Sequence, residues 1–186
     1  DAESYAYQWF VNTAAAGTSN TLTGAAFSRG NTIRCEITPT DGINNGTTRV
    51  SGDIVVDNSA PSITSASITP TSGNETTTFT CVPSGWNDVD GDAEGYAYAW
   101  FVNNAAAGNI ATLTGAAFNR GNTIRCEITP TDGSANGTTR VSTDIVIGNT
   151  APSITSASIT PTEGNETTTF TCVPAGWNDV DGDAES

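Results

Sequence analysis

Carboxylates stand at alternate positions in the stretch Asn87-Asp88-Val89-Asp90-Gly91-Asp92-Ala93-Glu94. Acids spaced in this way, around a glycine that permits a sharp turn, can wrap several oxygens round one hard cation, and Ca²⁺ accepts six to eight such ligands. Asp88, Asp90, Asp92 and Glu94 are the candidate metal ligands. The set returns as Asp179, Asp181, Asp183 and Glu185, and Asp1 with Glu3 reads as the remnant of a third set. These positions hold ten of the chain's twenty acids. A solvated acidic surface would spread its charge more evenly. Like charges this close repel without a counterion, so the expected cofactor is Ca²⁺.

The other charges exclude more than they suggest. The formal net charge is −14, with no Lys and no His, and the six cations are all Arg: Arg29, Arg34, Arg49, Arg120, Arg125 and Arg140. Nucleic acid needs a basic face and is not an expected partner. An anionic membrane surface is excluded on the same ground, and no apolar run is long enough for a membrane-spanning helix. Without His or Lys the usual general bases and nucleophile activators are missing, so no enzyme is expected. Paired carboxylates could serve a glycosidase, but such a pair would not be expected identically in every unit of an array.

The elements that must carry the acids are themselves written twice, at a period of about 91 residues. Tyr5-Ala6-Tyr7-Gln8-Trp9-Phe10-Val11-Asn12 returns as Tyr96-Ala97-Tyr98-Ala99-Trp100-Phe101-Val102-Asn103, Cys35 as Cys126, and Cys81 as Cys172. The expected division is 1–59 as the C-terminal part of one repeat, 60–150 as a complete repeat, and 151–186 as the N-terminal part of the next. Short linkers, Asn58-Ser59-Ala60-Pro61 and Asn149-Thr150-Ala151-Pro152, mark the boundaries. Within 60–150, strands are predicted over 62–69, 76–82, 96–102, 112–118, 123–129 and 138–147. Alternation sends Phe79 and Cys81 to one face, Tyr98, Trp100 and Val102 to another, and Ile124, Cys126 and Ile128 inward. Val141, Ile145 and Ile147 are expected to share a side. No helical periodicity of useful length occurs. The expected fold class is all-β, an antiparallel β-sandwich.

The order Cys81, Trp100, Cys126 resembles the immunoglobulin fold, in which two strands are bridged across the core and a Trp packs on the bridge. Position 124, two before the second Cys, holds Ile rather than the tyrosine-corner Tyr. The repeat therefore looks more like the Ig-like and cadherin-like modules strung together in large bacterial and archaeal surface proteins. That resemblance implies tandem Ig-like repeats, a Cys81–Cys126 disulfide, and an extracellular or cell-surface location. It also implies that Cys172 of one copy pairs with Cys35 of the next, along a continuous backbone or by strand complementation. The acidic stretch then becomes the loop after the first bridged strand, facing the preceding linker, with Asp132 at the same end. Its opening resembles that of EF-hand loops, but Ala93 replaces a Gly and position 99 holds Ala, so a related calcium loop is expected rather than an EF-hand.

The function these readings imply is a structural component of an extracellular filament or stalk, built of disulfide-stapled, calcium-stiffened repeats joined head to tail to copies of itself. The rival is an adhesin or lectin-like module that binds a surface glycan or protein. Four N-x-[ST] sequons, at Asn45, Asn74, Asn136 and Asn165, are candidate glycosylation acceptors.

Overall fold

The structure, a computed structural model, describes residues 4–182. Among these, regular structure is β-strand throughout apart from two three-residue 3₁₀ turns, Gly24–Ala26 and Gly115–Ala117. The chain divides into two compact units. One gathers the residues up to Pro61 with Asn87–Glu94 and Thr131–Asn136; the other gathers Ser62–Trp86, Gly95–Pro130 and the chain from Gly137 onward.

In the first unit, β1 (Ser4–Val11), β2 (Ala14–Gly17), β3 (Thr32–Thr40), β4 (Arg49–Val50) and β5 (Ile54–Val55) form one antiparallel sheet. Its order is β2-β1-β3-β4, with β5 also paired to β3. The β1–β3 register sets Trp9 opposite Cys35 and Tyr7 opposite Ile37.

The second unit holds β6 (Ser65–Thr69), β7 (Phe79–Ser84), β8 (Gly95–Val102), β9 (Ala105–Gly108), β10 (Thr112–Leu113), β11 (Thr123–Thr131), β12 (Arg140–Val141), β13 (Ile145–Val146), β14 (Ser156–Thr160) and β15 (Thr171–Ala175). Strands β10-β7-β6 make one sheet, and β12-β11-β8-β9 with β13 on β11 make another. Among the described residues, strands β14 and β15 form a two-stranded sheet of their own. Their register matches that of β6 and β7: Ile159 faces Cys172 as Ile68 faces Cys81.

The two larger sheets of this unit bury one common core, which is a sandwich-like arrangement. Ile63, Ile68, Phe79 and Cys81 come from the first layer, and Trp100, Ile124, Cys126 and Ile128 from the second. Strand β11 shows why the sequence folds this way. Its side chains alternate between faces, so Ile124, Cys126, Ile128 and Pro130 are buried while Arg125 and Glu127 lie half-buried on the other face. That outer pair is joined at 3.4 Å, and the Arg125 guanidinium lies 4.6 Å from the centre of the Phe101 ring. Burying one such Ile contributes about 2–3 kcal/mol. The Cys81–Cys126 disulfide crosses the core, and Phe79 meets Phe118 edge-on at 5.6 Å.

Three expectations change. The 138–147 stretch is two short strands rather than one. Val141 is exposed, not inward, and Ser142 takes the inner position, its hydroxyl accepting the Cys126 N–H at 3.0 Å. The 112–118 stretch is a two-residue strand followed by a 3₁₀ turn. Strand β9 had no sequence-based expectation. It exists because Asn103 and Asn104 both adopt positive φ, 48° and 66°, which closes a two-residue hairpin on β8.

Candidate metal centre

The acidic loop Asn87–Glu94 belongs to the first unit, and its shape begins with Asp88. The Asp88 Oδ1 accepts the N–H of Asp90 at 2.7 Å and of Gly91 at 3.1 Å. This side-chain-to-backbone turn needs Gly91 at φ +77°, where L side chains are strained. The turn brings carboxylate oxygens of Asp88, Asp90 and Asp92 within 4.8 Å of one another. Oxygens on one Ca²⁺ shell, at about 2.3–2.6 Å from the ion, span distances up to about 5 Å. The Asp88 Oδ2 is buried without a hydrogen-bond partner, which is costly for a carboxylate oxygen. Glu94 is not part of this trio.

Two groups outside the loop hold it, and Asn58 ties one of them to Asp132. Arg29 forks onto Asp92: its Nη2 donates to Oδ1 at 2.8 Å and its Nη1 to Oδ2. The same Nη1 donates to the Asn58 Oδ1. The Ser59 backbone N–H donates to the Asp90 Oδ2 at 2.7 Å. The Asn58 amide donates to the Asp132 Oδ2 at 2.8 Å. One charge-balancing cation is thus the chain's own guanidinium, and bidentate Arg–carboxylate pairing is the stronger form of such a bond. Its proximity to Asp92 raises the Arg29 pKa above the ordinary value.

The second set repeats the pattern inside the second unit. The Asp179 Oδ1 accepts the Asp181 N–H at 2.8 Å, and the Thr150 N–H donates to the Asp181 Oδ2 at 2.6 Å. Arg120 donates to the Asn149 Oδ1 at 2.6 Å and stands 3.9 Å from Asp181. The Asp181 side chain is fully buried and its Oδ1 has no hydrogen-bond partner. Asp183, Glu185, Asp1 and Glu3 lie outside the described residues. Neither Arg29 nor Asn58, nor the linker N–H, was marked as part of the site by sequence. Their recurrence as Arg120, Asn149 and Thr150 was the available signal.

Asp132 opens the tight turn that follows β11. Asn58 and the N–H groups of Ala135 and Ser134, both at 2.6 Å, favour its ionised form and hold its pKa below the usual carboxylate range. A lowered folded pKa adds stability above the unfolded value, and that stability is lost as pH falls through the folded one. Melting temperature is therefore expected to fall on acidification from about pH 4 downward, and Asp132→Asn should reduce that fall. Superimposable acid profiles for the two proteins would remove Asp132 from the account.

The sequons differ in availability. Asn45, Asn136 and Asn165 are exposed. Asn74 is half-buried, and its side-chain oxygen accepts from the N–H and hydroxyl of Thr76. Trp86 packs edge-on against Tyr96 at 5.7 Å. Comparison with family models finds no match, and comparison with curated proteins finds none either.

Proposed function

We propose that this chain is a structural component of an extracellular filament or stalk, in which Ig-like repeats of about 91 residues are stapled by disulfides, stiffened by calcium and joined head to tail. The observation that carries the reading is the duplicated clasp. Ser59 and Thr150 each donate a linker N–H to the middle Asp of the acidic loop that follows, and Arg29 and Arg120 each hold the linker Asn beside it. A scaffold needs the same linker geometry at each boundary, and these hydrogen bonds restrain the linker in the same way twice. The buried disulfide supports an oxidising location outside the cytosol. The Asp trio, with one buried and unpartnered oxygen, supports a divalent cation as the remaining counter-charge. Arg29 already neutralises Asp92 in part, so the cation would draw chiefly on Asp88 and Asp90.

A ligand that binds only the folded form stabilises it by about 2.7 kcal/mol at a hundredfold excess over Kd. Excess Ca²⁺ is expected to raise the melting temperature by several degrees, chelator to reverse the rise, and Asp88→Asn to remove the response. Negative-stain images of the assembled protein should show regular filaments that become more flexible in chelator. A melting temperature indifferent to Ca²⁺ would remove calcium from the proposal, and isolated chains without linear assemblies would remove the filament.

A further inference from the structure

The sheet that buries Trp100 and Cys126 has a second face, turned away from the core, and that face holds a polar hollow. Phe101, Asn103, Asn104, Thr123, Arg125 and Asp144 line it, and its volume is about 300 Å³. All of them belong to the second unit. The first unit carries the same hollow in the same place, with a volume of about 270 Å³. Its lining residues stand one repeat earlier, position for position, and match in type except that Thr13 replaces Asn104. Small-molecule sites run upward from about 300 Å³, so each hollow suits one ring-sized group.

Strand alternation builds the walls. Phe101 points outward because Trp100 beside it points inward. The Arg125 guanidinium lies 4.6 Å from the centre of the Phe101 ring, and that of Arg34 lies 4.8 Å from Phe10. Arg125 is held further by Nη1 donating to the Asn104 Oδ1 at 2.5 Å and Nη2 to the Glu127 Oε1 at 3.4 Å. The Asn103 Oδ1 accepts the Thr123 N–H at 2.9 Å, as Asn12 accepts that of Thr32 at 2.8 Å. Thr13 keeps the positive φ of the hairpin, 77°, although a β-branched residue is strained there. The same walls thus form in both units despite the one substitution.

Two groups on these walls are left unmatched. Arg125 and Asp144 face one hollow yet form no ion pair, and among the described residues Asp144 has no hydrogen-bond partner; the same holds for Arg34 and Asp53. A ligand between them must accept from the guanidinium and donate to the carboxylate. A hydroxyl does both, and neighbouring hydroxyls on one ring can reach both walls. Charge narrows the choice. Glu127 already answers the charge of Arg125, so an anionic ligand would meet Asp144 and the field of a chain of net charge −14. A cationic ligand would meet the guanidinium. An uncharged, hydroxyl-rich ring satisfies both walls, with Phe101 as its apolar contact.

We propose that this hollow binds an uncharged sugar ring and is presented once per repeat on the outer face of the sheet. Ring hydroxyls accept from the Arg125 Nη hydrogens and donate to the Asp144 carboxylate; Arg34 and Asp53 do the same in the first unit. Two such sites on one chain bind a polysaccharide more tightly than either binds a short fragment. The inference goes beyond the filament reading and does not depend on it.

The test is an NMR titration of the whole isotope-labelled chain with neutral oligosaccharides of glucose, mannose and galactose, and with oligogalacturonate as the acidic comparison. At least one neutral series is expected to shift the amide signals of Asn103, Asn104, Thr123 and Arg125, and of their counterparts in the first unit, to saturation. Asp144→Ala should weaken binding at its own hollow by about tenfold or more, the worth of one hydrogen bond to a charged group, and leave the first unit's response unchanged. Asp53→Ala should do the reverse. Both aspartates are exposed and neither has a bond to lose, so both variants should keep the parent melting temperature, which separates lost binding from lost folding. Asn104→Thr should give the second hollow the selectivity of the first. No saturable shift at either hollow with any neutral series, shifts that survive both Ala substitutions, or tighter binding of the acidic oligosaccharide would each overturn the proposal. The filament reading stands or falls separately, on the Ca²⁺ response and the negative-stain images.

Discussion

Replacing both Cys81 and Cys126 by Ala is expected to cost the second unit about 4 kcal/mol of stability. The bridge spans 45 residues, and closing a loop of that length removes about 4 kcal/mol of unfolded-chain entropy. Small domains hold only about 5–15 kcal/mol in total, so most of the margin goes with one bond. Both sulfurs are buried beside Trp100, Ile124 and Ile128, and losing their packing adds to the loss rather than offsetting it. Replacing Cys35 and Cys172 in a dilute, monomeric preparation is the control. Neither is bonded, and the change should stay within about 0.5 kcal/mol. Urea unfolding followed by circular dichroism gives both numbers. A loss below about 1 kcal/mol for the Cys81/Cys126 pair would mean that the core, not the staple, holds this unit.

Strand β11 was legible in the sequence because its signal is patterned, and the bridge followed from the order Cys81, Trp100, Cys126, which resembles the immunoglobulin fold. Alternation at period two marks Ile124, Cys126 and Ile128 as inward whatever lies opposite them. The Asp trio was legible for the same reason, since Asp88, Asp90 and Asp92 are joined by a turn built from their own backbone. What holds the trio was not. Arg29 reaches Asp92 across 63 residues and Asn58 reaches Asp132 across 74, and no periodicity encodes partners so distant. Apolarity alone does not place Val141 inward; Ser142 is inward since its hydroxyl satisfies the Cys126 N–H, a buried donor that an apolar side chain would strand. Strand β9 carries little signal of its own, because Ala105, Ala106 and Ala107 have no strand propensity, although the Asn103–Asn104 pair before them is a hairpin signal. Glu75 carries no sequence signal of its role. It lies outside the acidic loops, and its importance comes from a carbonyl and a carboxylate that reach Gly115, Arg120 and Thr150 only after folding.

That reach sets the second large effect. Gly115→Ala is expected to destabilise the second unit by about 3 kcal/mol or more, the upper range for overpacking. A Cβ on Gly115 would fall 1.6 Å from the Glu75 carbonyl oxygen and 2.8 Å from its carbon, both backbone atoms that cannot rotate away. Either the 74–77 turn or the 3₁₀ turn must shift. The first movement breaks the Glu75 bond to the Arg120 N–H, and the second displaces Leu113 and Phe118, both buried in the core. Gly24→Ala supplies the comparison within one chain. Thr23-Gly24-Ala25-Ala26-Phe27 and Thr114-Gly115-Ala116-Ala117-Phe118 are the same pentapeptide in the same 3₁₀ turn, so local propensity cancels between them. Nothing approaches a Cβ on Gly24, and the change should stay within about 0.5 kcal/mol in a monomeric sample. Hydrogen exchange resolves the two positions separately by reading protection in β11 and in β3. Equal losses at both glycines would mean that the cost is set by the turn's own backbone, and the Glu75 contact would then explain nothing.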